Sequence, residues 1–194
     1  MAEPDPPRDT DAATAAALAD VRRVLIEIQR RGGIGRGDVD DGIAHARQFV
    51  EALPADPGLV IDIGSGGGLP GLVIAALATG WRVVLIERRA KRVDLLRYGV
   101  RALAVDNHTE VVDDDVRGAA ARADLAGAAS AVTARSVAPP LEVLSMSRPL
   151  LAPDGVVIIS EPPGGATRCS AAELERAGYV DLGRVGGVRC FQRQ

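Results

Sequence analysis

The sequence predicts an α/β protein: a mostly parallel twisted sheet, with a helical cap before it and an antiparallel hairpin at its end. Three observations carry that expectation. A short apolar run, Leu59-Val60-Ile61-Asp62-Ile63, leads into a glycine-rich turn and then a segment of helical spacing. Apolar runs and helix-patterned segments alternate from there to Ser160, as buried parallel strands between helices do. The last two runs alternate in polarity and are joined by Gly186-Gly187, the mark of a hairpin.

Composition sets the outer bounds. A chain of 194 residues is enough for one domain with a full core. Hydrophobic residues make up 47% of it, which marks a globular chain. No apolar run reaches the length of a membrane span, and no basic-then-apolar leader opens the chain; the expectation is a cytoplasmic protein. Cys169 and Cys190 form no C-x-x-C and no framework, so they read as buried or idle thiols in a reducing compartment, and no metal site is expected. The net charge of −3 and an aromatic content of 3% lack the basic surface and stacking platforms usual in RNA binders, which leaves only a local basic patch for such a role.

In chain order, residues 1–10 read as a disordered tail, rich in proline and charge. Residues 11–57 read as the helical cap and 58–194 as a cofactor-binding core. Asp11 to Arg31 is predicted helical, with Leu18, Val21, Leu25 and Ile28 at three- and four-residue steps and Asp11 as a candidate cap. Gly32 to Gly37 breaks it. A second helix starts at Asp40 or Asp41 and stops near Leu53, before Pro54 and Pro57. His45, inside that helix, reads as a surface or packing residue.

The core begins at the glycine turn. Gly64, Gly66, Gly67 and Gly68 are four glycines in five residues, more than a plain connector needs given the entropy each one costs. Leu69 to Ala78 follows as a helix, with Pro70 suited to its first turn. Glycines let the backbone approach a ligand, and a helix N-terminus favours a carboxylate or phosphate. Gly64 and Gly66 fit the dinucleotide pattern G-x-G-x-x-G, but Leu69 takes its third glycine position, which argues against a nicotinamide dinucleotide. Asp62, two residues before Gly64, can accept from an ammonium group. S-adenosyl-L-methionine carries both an ammonium and a carboxylate and suits this turn, with Ser65 and Gly68 also in reach.

Trp81 to Ile86 is the second strand. Glu87 ends it about 20 residues past the glycines, where such folds place an acid on ribose hydroxyls, and Arg88 adjoins it. Ala90 to Ala104 is a helix, and Arg88, Arg89, Lys91, Arg92, Arg97 and Arg101 form a basic run along it. Two readings stay open for that run: a solvated face or a surface that meets phosphates. Thr109 to Val112 is the third strand. The acids Asp113, Asp114 and Asp115 after it either accept the adenine amine or cap the helix Val116–Arg122. Ser130 to Ala134 is the fourth strand and ends at Arg135. A helix over Val137–Leu151, a fifth strand over Gly155–Ser160, a loop at 161–165, a short helix over Ala171–Ala177 and the strands Tyr179–Val185 and Val188–Gln192 complete the chain.

This order describes the Rossmann-like fold of the class I methyltransferases. Within it the motifs DIGSGGGLPG, LIERRAKRVDLL and ARSVAPPLEVL resemble the small-subunit ribosomal RNA guanine-N7 methyltransferases, once called glucose-inhibited division protein B. The resemblance covers roughly residues 59–160. It implies S-adenosyl-L-methionine as cofactor and ribosomal RNA of the small subunit as partner. It also implies Gly64 and Leu69 in the cofactor pocket, Val116 and Arg117 beside the adenine, and Arg135 close to the methyl group as the catalytic position. Two stretches depart from the family pattern. The family's His-x-x-Asp-Ser reads His45-Ala46-Arg47-Gln48-Phe49 here, and its Lys-Gly after the fifth strand reads Ser160-Glu161. Both departures bear on the acceptor rather than the cofactor half.

The alternatives are a methyltransferase for a small molecule or other non-RNA acceptor, and a cofactor-binding homologue without turnover. Amino-methylating DNA enzymes place an acid or Asn, Pro-Pro and an aromatic after the fourth strand. Glu161-Pro162-Pro163 follows the fifth and lacks the aromatic. Cytosine-C5 enzymes need a nucleophilic Cys in a Pro-Cys context, which neither cysteine has. Guanine N7 offers a lone pair and no proton, so the expected chemistry needs no general base.

Overall fold

The computed structural model describes residues 9–161 and 169–194. Residues 1–8 of the expected tail, the side chains of residues 9–11 and residues 162–168 after the fifth strand lie outside the described residues. The elements in chain order are α1 (Asp9–Arg30), α2 (Val39–Glu51), β1 (Leu59–Ile63), α3 (Gly71–Leu77), β2 (Arg82–Glu87), α4 (Ala90–Ala102) and β3 (Thr109–Asp113). They continue with α5 (Val116–Ala120), β4 (Ala129–Ala134), α6 (Pro140–Ser147), β5 (Leu151–Ser160), α7 (Ala171–Ala177), β6 (Tyr179–Val185) and β7 (Val188–Arg193). The seven strands of the described residues form one sheet in the order β3-β2-β1-β4-β5-β7-β6. The first five run parallel and β7 is antiparallel to both neighbours. This is the predicted Rossmann-like arrangement. The chain reverses its direction across the sheet between β1 and β4, the switch point where open α/β sheets hold ligands.

Strand parity sorts the core into two layers. In β1, Val60 faces a cluster with α1, α2, α3 and α4, while Leu59, Ile61 and Ile63 face a cluster with residues of α5, α6 and α7. All five β1 residues are buried, because successive side chains point to opposite faces and both faces are covered. Asp62 shares parity with Val60 and so points toward the α3 side.

Several boundaries differ from the sequence expectation for local reasons. The second helix is capped by Asp38, whose carboxylate accepts from the Asp40 N–H at 2.7 Å. Asp40 and Asp41 fall in the first turn instead, where the helix dipole favours them. Pro70 precedes α3 rather than lying in its first turn, and its carbonyl accepts from Val73 and Ile74. The sixth helix is shorter than predicted at both ends. Pro139 is extended with ψ 150°, as a residue before proline must be, and Pro149 stops the helix beyond Arg148. Leu151 therefore opens β5, which bulges between its pairings to Ala129 and Ala131.

The helical cap meets the core at the glycine turn. A Cβ on Gly67 would stand 2.3 Å from Ile34 Cγ1 and 2.6 Å from the Gly33 carbonyl oxygen. Two backbones touch there, which only glycine permits. Gly67→Ala should therefore cost about 1–3 kcal/mol, the scale of overpacking. Gly35→Ala, with nothing within 4 Å of its added Cβ, should cost under ~0.5 kcal/mol. Urea midpoints of the two variants check the contrast, and equal midpoints would exclude the packing account.

Candidate active site

The turn after β1 is held by hydrogen bonds to its own backbone and to β2. Ser65 N–H donates to the Ile86 carbonyl at 2.9 Å, Gly68 N–H to the Ser65 carbonyl at 2.8 Å, and Ser65 Oγ to the Asp62 carbonyl at 2.9 Å. Glu87, buried at the end of β2, binds the turn from outside. Its Oε2 accepts from Gly66 N–H at 3.0 Å, and its Oε1 accepts from the N–H groups of Arg88 and Arg89, both at 2.9 Å. Arg92 Nη1 lies 3.8 Å from Oε2. Each carboxylate oxygen can accept about two hydrogen bonds, so Oε2 keeps room for a ligand hydroxyl.

Asp62 is 1% exposed. Its Oδ1 accepts from Thr133 Oγ1 at 2.7 Å, while Oδ2 packs near Gly71 with no well-aligned donor among the described residues. Burial pushes its carboxyl up to about 6, against the pull of the Thr133 hydroxyl and, more weakly, the charge of Arg135.

Two cavities open at the carboxyl ends of the strands and share Ser136, Val137 and Ala138 as a common wall. The first, about 870 Å³, is lined by Gly64, Glu87, Arg88, Arg89, Arg92, Asp114, Asp115, Val116 and Arg117, with α6 residues opposite. Asp115 caps α5 by accepting from Arg117 and Gly118 N–H, and the Gly118 N–H above all holds its carboxyl below the usual range. Of the two readings of these acids, capping therefore holds for Asp115, and its place in the cavity wall keeps the adenine role available. The second cavity, about 550 Å³, is lined by His45 and Gln48 of α2, by Arg135, Ser160 and Glu161, and by Arg184, Gly187 and Arg189 of the hairpin. Arg135 is half-buried there, and among the described residues its Nη1 has no acceptor. Burial lowers the pKa of His45, helped by the charge of Arg135; its ring also meets Phe49 edge-on at 5.5 Å.

Gly64, Glu87, Arg88, Asp115, Val116 and Arg117 thus come together at one cavity, while Arg135 lines the other. Asp62, Ser65, Gly66, Gly68 and Leu69 line neither and build the turn behind them. His45, read as packing, is also a wall residue. Sequence reasoning reached Gln48 only as a departure from the family pattern and did not reach Thr133, Arg184 or Arg189. Arg184 and Arg189 pair across the hairpin, and their flanking of Gly186-Gly187 was the only signal they carried.

The sequence pattern of the rRNA small subunit methyltransferase G family matches residues 17–162. The chain belongs to this family. The match begins within α1 and takes in all of α2, so it extends well beyond the resemblance at 59–160. A ribosomal RNA small subunit methyltransferase G of Polynucleobacter asymbioticus is 35% identical over 133 residues, covering 69% of this chain and 59% of the relative. The protein of the same name from Acidothermus cellulolyticus is 35% identical over 176 residues, covering 84% and 73%. The chain spans about three fifths of the length of the first of these relatives. Among solved structures, a methyltransferase from Geobacter sulfurreducens superposes with a TM-score of 0.59 at 22% identity, over 98% of this chain and 90% of that one, so the two share a fold. For a member of this family, the departures at Gln48 and Glu161 have one setting: both line the second cavity.

The raised pKa of Asp62 has a stability consequence. A carboxyl whose folded pKa lies near 6, above its ordinary 3.8, disfavours the fold when ionised; the cost is full above pH 6 and vanishes below the unfolded value. Asp62→Asn keeps an acceptor for Thr133 and removes the titration. Its stability relative to the parent chain should fall by about 2 kcal/mol between about pH 7.5 and about pH 4.5. Denaturant titrations at the two pH values measure this, and a pH-independent difference would refute it.

Proposed function

We propose that this chain transfers a methyl group from S-adenosyl-L-methionine to N7 of a guanine in small-subunit ribosomal RNA. The observation that carries the reading is the pair of cavities sharing the wall at Ser136–Ala138, at the sheet's switch point, in a chain of the rRNA small subunit methyltransferase G family. The first cavity suits the cofactor and the second the acceptor base. Glu87 would take the ribose hydroxyls with the acceptor capacity left on its carboxylate. Asp115, Val116, Arg117 and Arg88 would surround the adenine, and Gly64 and the turn of Ser65, Gly66, Gly68 and Leu69 the methionine end. The residues fit such a group: Gly64, Glu87 and Asp115 line one cavity of about 870 Å³, and Glu87 Oε2 accepts only one hydrogen bond from the protein among the described residues. Asp62 lies behind the turn and would act on the ammonium through its charge. Arg135 lines the acceptor side, close to where the methyl group would cross.

When bound, the sulfonium supplies an activated methyl group. The protein's part is to hold donor and acceptor in line and keep water out. A guanine N7 loses no proton, so none of His45, Cys169 or the acids is required as a base. A small-molecule acceptor is the second reading, favoured by one observation: Glu161 stands where the family pattern has a positive charge. The acceptor side is otherwise cationic, with Arg135, Arg184 and Arg189 on its wall. The small ribosomal subunit is the partner this reading implies, and the cytoplasm its place. Among the described residues no helix is long and apolar enough to cross a membrane.

Incubation with methyl-labelled S-adenosyl-L-methionine and either total ribosomal RNA or a small-molecule extract tests the reading. Label in the RNA as 7-methylguanosine is the expected result. Label only in the small-molecule fraction moves the acceptor, and binding without transfer to either leaves a cofactor-binding homologue.

The basic run supplies a further check. Arg88, Arg89 and Arg92 line the cofactor cavity and Lys91 is exposed beside them. If they meet phosphates, RNA binding with saturating cofactor should weaken with salt. Arg89→Ala with Lys91→Ala should then flatten the log–log slope by about 0.7–0.9 for each phosphate no longer neutralised. A titration insensitive to salt would return the run to a solvated face.

A further inference from the structure

We propose that Gln48 is a positioning residue for the acceptor: it straps the tip of the C-terminal hairpin to the helical cap and so fixes the rim of the second cavity. The inference rests on the reading of that cavity as the acceptor site. Val185 and Val188 close the ladder between β6 and β7, which leaves Gly186 and Gly187 as the turn. The N–H and C=O of Gly187 therefore have no partner in the ladder, and a surface turn ordinarily gives such groups to water. Here protein takes both, from opposite sides. Gln48 Oε1 of α2 accepts from Gly187 N–H at 2.7 Å, and the Gly187 carbonyl accepts from Glu161 N–H at 2.8 Å. One residue thus ties α2, 139 positions earlier in the chain, to the segment after β5.

The tip and the side chain fit each other. A Cβ on Gly186, whose φ is +57°, would stand 2.8 Å from Gln48 Cδ. A Cβ on Gly187 would stand 2.9 Å from Gln48 Oε1 and 3.2 Å from the His45 ring. Two glycines in a row leave the space that Gln48 and His45 fill. A Gln also reaches one methylene further than the Asp of the family pattern, and here its amide oxygen ends on the tip.

The strap acts on the cavity because what it holds lines the cavity. His45, Gln48, Glu161, Arg184, Gly187 and Arg189 are all in its wall. Glu161 is held to the tip by its backbone, and Arg184 Nε stands 2.9 Å from its carboxylate. Arg184 itself faces Arg189 in the ladder, one pair from the turn. Tip, Glu161 and Arg184 therefore form one piece, and Gln48 sets where that piece stands relative to α2. Among the described residues no other hydrogen bond joins α2 to the hairpin. A rim fixed before the acceptor arrives needs no ordering on binding. A loose rim must be ordered at that moment, which weakens acceptor binding and leaves the chemistry alone, because the donor is held in the other cavity.

Gln48→Met keeps the length of the side chain and removes its acceptor. In hydrogen exchange on the full chain, the Gly187 amide should exchange about tenfold faster or more in this variant, while the amides of the β5–β7 ladder keep their rates. With saturating S-adenosyl-L-methionine and ribosomal RNA as acceptor, KM should rise by roughly 3- to 10-fold, the scale of one lost hydrogen bond, with kcat within about twofold of the parent chain. Affinity for S-adenosyl-L-methionine should not change. Gln48→Glu offers Gly187 an acceptor at the same reach, so it should restore the slow exchange and lie nearer the parent chain in KM. Gln48→Ala repeats the loss if the methionine variant does not fold. A merely structural role would lower cofactor affinity and kcat along with RNA binding, and that result overturns the proposal. A Gly187 amide that exchanges no faster, or one that is freed while KM stays put, overturns it too; each leaves the RNA reading standing. A parent chain that methylates no ribosomal RNA overturns the RNA reading, and the role of Gln48 toward that acceptor falls with it.

Discussion

Three backbone N–H groups from two different turns meet on the carboxylate of Glu87. Gly66 reaches it from the loop after β1, and Arg88 and Arg89 from the entry to α4. None of these N–H groups has a place in a strand ladder, and an acid that is only 5% exposed satisfies all of them at once. Hydrogen bonds to an ionised acceptor are the stronger kind. This contact sets how deep the glycine turn sits and where α4 begins. It therefore also sets where Arg88, Arg89 and Arg92 stand at the cavity mouth. Fold and site share one constraint, because the same carboxylate that gathers the two turns also lines the cavity.

A second constraint lies across the cavity. The segment after β4 runs from Arg135 to the prolines at 139 and 140, and Ser136 holds φ at +56°, a conformation that L residues with a side chain adopt at some cost. Val137, next to it, packs on Gly64, whose φ is +64°. A turn without a side chain and a stiff loop with a small apolar one meet there. They form the partition between a cavity of mixed charge and one whose charged side chains are mostly arginine. A partition of two short, fixed segments is what in-line transfer between neighbouring ligands requires, because the reacting atoms must approach closely without either ligand wandering.

The parts of this arrangement that were legible in the sequence are those set by local rules. Strand parity and the glycine run placed β1, its turn and α3, and the spacing from glycine to acid placed Glu87. Gly64, Glu87, Arg88, Asp115, Val116 and Arg117 do meet at one cavity. What was not legible depends on partners distant in the chain. Gln48 accepts from Gly187 N–H at 2.7 Å across 139 residues, and nothing local in either stretch points to that contact. Thr133 meets Asp62 only because β1 and β4 are neighbours in register. Asp62 was legible as an acid before the glycines, and strand parity turns it toward α3, beneath the turn. The sixth helix failed for a simpler reason: the apolar spacing of residues 137–151 ran on through prolines that end a helix regardless of pattern.

The charge of the chain has to be weighed locally as well. A net charge of −3 argues against a nucleic-acid partner only if the charges act as one, and they do not. Salt screens exposed charges over about 8–10 Å, so a phosphate at the cavity mouth responds to Arg88, Arg89, Lys91 and Arg92 and hardly to acids on the far side of the sheet. Much of that acidity is already spent on arginine. Glu110 and Asp124 are tied to Arg82 and Arg122, and Asp181 to Arg189. Arg88, Arg89 and Lys91 are exposed, and Arg92 leans toward the buried Glu87 at 3.8 Å. The α4 side of this cavity mouth is therefore locally basic, with Asp114 and Asp115 across from it, although the chain as a whole carries a net charge of −3.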